Sequence, residues 1–177
     1  MKLRKLLVPV MVTMFALAAA AVPGFAISKD FDQSYPLQPG GTFELQNVNG
    51  TLRVAGVDEV KELHSVNGNI EVYGADSTVH ARTTNGNVRL EISRVHGVVG
   101  TFAETTNGSV ILALPADTQA DLEARSLNGN FQSELPVEMQ SSLKPREMHG
   151  KLGQGGVPIK LHTVNGGIRV LALRTTV

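Results

Sequence analysis

One dipeptide recurs along this 177-residue chain, flanked each time by alternating apolar residues. It stands at Asn49-Gly50, Asn67-Gly68, Asn85-Gly86, Asn107-Gly108, Asn128-Gly129 and Asn165-Gly166. Successive Asn are 18, 18, 22, 21 and 37 residues apart, and a His149-Gly150 pair divides the last step into 21 and 16. Seven near-equivalent corners result. Self-similarity at a period near 20 marks an array of one small unit, each copy burying its apolar face against its neighbours.

Aligning the corners on Gly shows what repeats. Two residues after it come Leu52, Ile70, Val88, Val110, Phe131, Leu152 and Ile168; two further on come Val54, Val72, Leu90, Leu112 and Val170, with Ser133 and Gln154 breaking the column. Two before the Asn stand Asn47, Ser65, Thr83, Thr105, Ser126 and Thr163, which read as an outward column. Four before the corner are Leu45, Leu63, Ala81, Ala103, Ala124, Pro145 and Leu161. Period-two alternation on both sides of a turn predicts strand, corner, strand. Asn and Gly suit such a corner because both tolerate φ > 0. Helical periodicity is absent beyond the N-terminal leader, so the fold class is all-β.

Two architectures use such units. Asn-Gly between alternating strands is the short hairpin signal, giving an antiparallel meander or sandwich. Alternatively each unit is one coil of a β-solenoid, a β-helix-like stack of about seven coils of roughly 20 residues. The solenoid is favoured, because like residues recur in each column and stacked Asn amides can hydrogen-bond from coil to coil. Residues 30–41 read as a segment covering the first coil's open edge. Residues 135–158, with Pro136, Pro145, Pro158 and the loop Gly153-Gln154-Gly155-Gly156, read as a bulging coil. The tail from Ile168 reads as a last strand or a free edge.

Residues 1–26 read as a signal peptide, leaving 27–177 as a single repeat domain. Lys2, Arg4 and Lys5 precede an apolar run over 6–22, and Gly24-Phe25-Ala26 offers a cleavage site. The run is also at the lower limit for a membrane span, so an uncleaved anchor is the competing reading. The mature segment carries 13 basic and 16 acidic residues, which is no footprint for nucleic acid or anionic lipid. With no cysteine in the chain, disulfides, thiolate metal sites and a lipoprotein anchor are all excluded. The expected location is extracytoplasmic: periplasm, cell surface or medium of a bacterium.

The pattern T-x-N-G-x-[IV]-x-[VL], as in TTNGNVRL and TVNGGIRV, resembles a bacterial secreted repeat family of unknown function that bears a conjectural adhesin label. PGGTFELQNVNGTLRVAG, SVILALPADTQADLEARSLNG and KLGQGGVPIKLHTVNGGIRV are similar to it too, and the resemblance spans residues 31–170. It implies a β-solenoid outside the cytoplasm and supplies no catalytic residues. The stretch over 57–64 is shorter than is common in that family, which bears on any binding surface located there.

Candidate chemistry is thin. Asp58, Glu59, Asp76, Asp117, Asp121 and Glu123 are the acids to consider, yet glycosidic cleavage needs two carboxylates at a defined separation and nothing pairs them. Stacking aromatics are scarce, with no Trp and only Tyr35 and Tyr73. His64, His80 and His96 lie 16 residues apart but in different columns, and His162 shares the column of His64, so no metal site is expected. Gly153-Gln154-Gly155-Gly156 lacks the Lys-Ser/Thr of a phosphate loop.

The sequence therefore predicts a non-enzymatic, cofactor-free module that binds or scaffolds in the cell envelope through repeated outward side chains. Arg82, Arg89, Glu104, Arg125, Arg146 and Arg169 are the candidate face. The expected partner is an envelope protein or surface polymer, with end-to-end self-association through exposed coil ends as a second route. A structural envelope-stress protein without adhesion is the alternative, and a carbohydrate-active enzyme the minority one.

Overall fold

The computed structural model describes residues 44–56, 60–76, 78–95, 100–139 and 146–173. The leader, the segment 30–41, Asp58, Glu59, His96 and Pro145 lie outside the described residues.

Every described element is a strand. In chain order they are β1 (Glu44–Asn49), β2 (Leu52–Ala55), β3 (Val60–Asn67), β4 (Ile70–Ala75), β5 (Val79–Asn85), β6 (Val88–Ile92), β7 (Thr101–Asn107), β8 (Val110–Leu114), β9 (Ala120–Asn128), β10 (Phe131–Ser133), β11 (Val137–Met139), β12 (Glu147–Leu152), β13 (Val157–Asn165) and β14 (Ile168–Ala172). An Asn-Gly corner leads from β1 to β2, and likewise from β3, β5, β7, β9 and β13 to the strand that follows each. Strands before a corner join one eight-stranded sheet, and strands after it join a six-stranded sheet. Each corner thus carries the chain from one sheet to the other, and the coils stack in parallel. This is a two-faced β-solenoid; the hairpin meander does not form.

The stacking order departs from chain order. The eight-stranded sheet runs β1-β3-β5-β7-β13-β9-β12-β11, and the other runs β10-β14-β8-β6-β4-β2. The last coil, β13–β14, is intercalated between the fourth and fifth. Its register is continuous with both: Asn165 pairs with Asn107 on one side and Asn128 on the other. The stack has six parallel coils, one fewer than the seven corners predict. His149 and Gly150 are not a corner but lie inside β12, which runs antiparallel to β9 with His149 opposite Glu123 and Gly150 opposite Leu122. β12 continues the inward and outward alternation of β9 but with its chain reversed, so no Asn-Gly corner lands on the Asn ladder there, and β12 with its antiparallel partner β11 closes that end of the sheet.

The alternation of buried and exposed residues follows from the pleat. From the six-stranded sheet, Ile70, Val88, Val110 and Ile168 form one fully buried column, and Val72, Leu90, Leu112 and Val170 another. Leu63, Ala81, Ala103, Leu161 and Ala124 face them from the eight-stranded sheet. Branched residues on one side meet mainly small ones on the other, which lets the two sheets approach closely. Each large buried side chain contributes about 1.5–3 kcal/mol.

The Ser/Thr column points inward, not outward as the sequence suggests. Ser65, Thr83, Thr105, Thr163 and Ser126 are all buried. Four of them donate to the carbonyl of the corner glycine one coil earlier: Thr83 to Gly68 at 2.9 Å, and Thr105 to Gly86, Thr163 to Gly108 and Ser126 to Gly166 at 2.8 Å. A carbonyl facing the interior beside the turn has no ladder partner there, and the hydroxyl supplies one. Ser65 is the exception, its buried Oγ lacking a partner. In the first coil Asn47 replaces the hydroxyl residue, and its amide donates to the Gly50 carbonyl that the pattern would offer Ser65.

Close approach, more than φ, accounts for the corner glycines. Gly68, Gly108 and Gly129 reach the corner without a positive φ, and no corner Asn has one. A Cβ at any of these three would overlap the carbonyl oxygen of the neighbouring coil's corner glycine. The Asn side chains form the expected continuous ladder. Nδ2 of Asn67, Asn85, Asn107, Asn165 and Asn128 each donates to Oδ1 of the next Asn along the stack, at 2.8–3.1 Å. A second row, not anticipated from the sequence, lies just past the corner, where Asn69 and Asn87 accept the backbone N–H of Asn87 and Ser109 at 2.8 Å.

Candidate binding faces

Because each corner turns the chain through to the other sheet, residues before and after it project from opposite faces. The six side chains that the sequence suggests as one face are consequently divided. Arg82, Glu104 and Arg125 share one outward column on the eight-stranded sheet, whose full order is Gln46, His64, Arg82, Glu104, His162, Arg125 and Glu147. Arg89 and Arg169 belong to a column on the other sheet: Arg53, Glu71, Arg89, Ile111, Arg169 and Gln132. Arg146 is in neither; it precedes β12 with φ 95°, and its carbonyl accepts the Ser126 N–H at 3.1 Å.

On the eight-stranded face the charges neutralise one another along the stack. Arg82 pairs with Glu104 at 2.8 Å, His162 approaches the same carboxylate at 3.7 Å, and Arg125 pairs with Glu147 at 3.3 Å. Lys160 reaches Glu123 at 3.5 Å. The Arg82 guanidinium also lies 5.9 Å from the centre of the Phe102 ring, whose edge His80 meets. Among the acids considered for catalysis, Asp76 is held by Arg94 at 2.7 Å and Glu123 by Lys160. Asp121 and Glu123 line a shallow depression with His149 and Lys160. Among the described residues no three His, Asp or Glu converge on a metal position.

The six-stranded face has a different character. Asn69, Asn87 and Ser109 run beside Glu71, Arg89, Ile111 and Arg169 along an open groove of about 260 Å³. Glu71 accepts from Arg53 at 2.8 Å and from the Tyr73 hydroxyl at 3.1 Å, while Arg89 turns aside to Glu91 at 2.8 Å. These bonds raise the pKa of both guanidiniums, the hydrogen bond to Glu71 or Glu91 being the largest cause in each. The Tyr73 phenol is raised by loss of solvent and then by the Glu71 hydrogen bond. Among the described residues Arg169 has no carboxylate partner; its column neighbours are Ile111 and Gln132. A free cation thus stands at one end of a row of amide and hydroxyl groups spaced at the coil repeat.

The Toastrack DUF4097 family model matches residues 32–171, spanning every described strand except the last residue of β14. The chain belongs to the Toastrack family. Neither the curated proteins nor the solved structures contain a match to it. The Toastrack assignment accords with an array of parallel strands, and the family's function is unknown.

The outward columns were open to sequence alignment, since the third residue after each corner Gly reads Arg53, Glu71, Arg89, Ile111, Gln132 and Arg169. The adjacency of Ile111 and Arg169, 58 residues apart, was not, because it depends on where the last coil is inserted.

Proposed function

We propose that this Toastrack chain is a non-enzymatic binding or scaffolding module of the bacterial cell envelope, engaging an envelope protein or surface polymer through its six-stranded face. Among the described residues the interior is filled by apolar and hydroxyl columns, so recognition falls to the outer faces. The eight-stranded face is largely self-neutralised by ion pairs. The observation that carries the reading is the groove beside Arg169, whose guanidinium has no carboxylate partner among the described residues, neighbours the apolar Ile111 and shares the groove with Asn87 and Ser109. Such a strip offers hydrogen bonds, one cation and an apolar contact at the coil spacing. The basic and apolar leader supports an extracytoplasmic location.

The test is crosslinking before lysis of tagged protein in its native host, then identification of the trapped partner by mass. Arg89→Glu with Arg169→Glu is expected to abolish the crosslinked species, whereas Arg82→Glu with Arg125→Glu leaves it in place. Equal loss with both pairs, or no trapped species while the protein stays folded in the envelope, would count against this face. Polysaccharide turnover lost on changing Asp121 to Ala would instead favour an enzyme.

A further inference from the structure

The C-terminal coil is last in the chain yet interior in the stack. β13 is hydrogen-bonded to β7 on one side and β9 on the other, and β14 lies between β8 and β10. The slot it fills is shaped for it. Leu161 sits between Ala103 and Ala124, and Ile168 between Val110 and Phe131. Leu161 thus meets an alanine on each wall of the slot, a large side chain of the inserted coil between two small ones.

The covalent tie before this coil is short. Leu152, ending β12, and Val157, opening β13, both pair with Ala120, so residues 153–156 arch over the start of β9. The arch needs left-handed backbone at Gly153 (φ 57°) and Gly155 (φ 80°), which a side chain would strain. The Gln154 N–H is fastened to the Gln119 carboxamide beneath it, where a Cβ on Gly153 would collide. None of the ladder bonds, Asn rungs or apolar contacts of the coil requires that it belong to the same chain as its slot.

We propose that the slot between β7–β8 and β9–β10 is a self-recognition site, which accepts β13–β14 of a second copy as readily as its own. Two chains then exchange C-terminal coils reciprocally, each arch straightening to span the pair. The contacts within the stack are the same in both forms, so the arch and the protein concentration set the balance. A substitution that strains only the closed arch moves it toward the exchanged dimer.

The chain has no cysteine, so an introduced pair reports directly. Glu104 and His162 are register partners on β7 and β13 with outward side chains, near enough for a disulfide. Full-length Glu104→Cys with His162→Cys, oxidised after refolding at a series of concentrations, is read on a non-reducing gel. The expected result is an interchain disulfide whose share rises with concentration. Adding Gly153→Ala and Gly155→Ala, each of which strains the left-handed closed arch, is expected to raise that share about tenfold or more. Intrachain disulfide alone at every concentration, in protein folded by circular dichroism, overturns the proposal. A dimer whose 104–162 bond stays intrachain also overturns it, since association then uses another surface. Should the alanine variant fail to fold, the concentration series with the native arch decides alone.

Discussion

Asn165 Nδ2 donates to Asn107 Oδ1 at 2.8 Å across 58 residues of chain, while Asn165 Oδ1 accepts from Asn128 at 2.9 Å. One side chain thus joins the fourth coil to the fifth. Replacing Asn165 with Ala removes two rungs of an exposed ladder and is expected to cost about 1–2 kcal/mol. Asn49→Ala, at the end of the ladder, removes one rung and is expected to cost about half as much. Chemical denaturation of the two variants checks the ratio.

The inward hydroxyl column makes an internal contrast. Thr83→Val strips the Gly68 carbonyl of its buried donor and is expected to destabilise by about 1–3 kcal/mol. Ser65 has no such bond, so Ser65→Ala is expected to be neutral or mildly stabilising. Urea midpoints measured at constant m-value decide between them.

Coil stacking sets the corner glycines. Gly108 has no positive φ, yet a Cβ there would overlap the Gly86 carbonyl oxygen. Gly108→Ala is expected to cost about 3 kcal/mol or more, because the two coils must part to admit the methyl group. Gly56 has φ 64° and open space around its Cβ position, so Gly56→Ala is expected to cost only about 1–2 kcal/mol of backbone strain. Thermal unfolding of both separates the steric account from the φ account.

Tyr73 carries the pH prediction. Loss of solvent and the hydrogen bond to Glu71 favour its neutral form, so its folded-state pKa lies above that of an ordinary tyrosine phenol. The stabilisation this represents is present below the unfolded pKa and is lost as pH rises through the folded one. Ultraviolet titration in a Tyr35→Phe background should show a single phenol ionising later than a model tyrosine. Glu71→Gln should bring that midpoint down.

Much of this architecture is legible in the sequence because a solenoid writes each coil in the same columns. Leu63, Ala81 and Ala103, or Ile70, Val88 and Val110, align by eye and are neighbours in space. The same regularity hides the stacking order. Thr163 and Ser126 fit above the fourth coil equally well by column, so the column pattern does not distinguish them. His149-Gly150 imitated a corner by spacing alone; the direction of β12 depends on its pairing with β9, which no local pattern encodes. The Ser/Thr column lies on the side opposite to the sequence expectation, since hydroxyls are ordinarily exposed, whereas here they serve carbonyls that face the interior. The candidate face divides between two sheets because Arg82 and Arg89 flank a corner and therefore project oppositely.

The intercalated order is tested most directly by two cysteine pairs on the exposed side of the six-stranded sheet. Ile111 and Arg169 are register partners on β8 and β14, whereas Ile111 and Gln132 are separated by β14. The account predicts rapid disulfide formation in Ile111→Cys with Arg169→Cys and none in Ile111→Cys with Gln132→Cys. Ready closure of the second pair and not the first would mean that the coils stack in chain order, contradicting the architecture described.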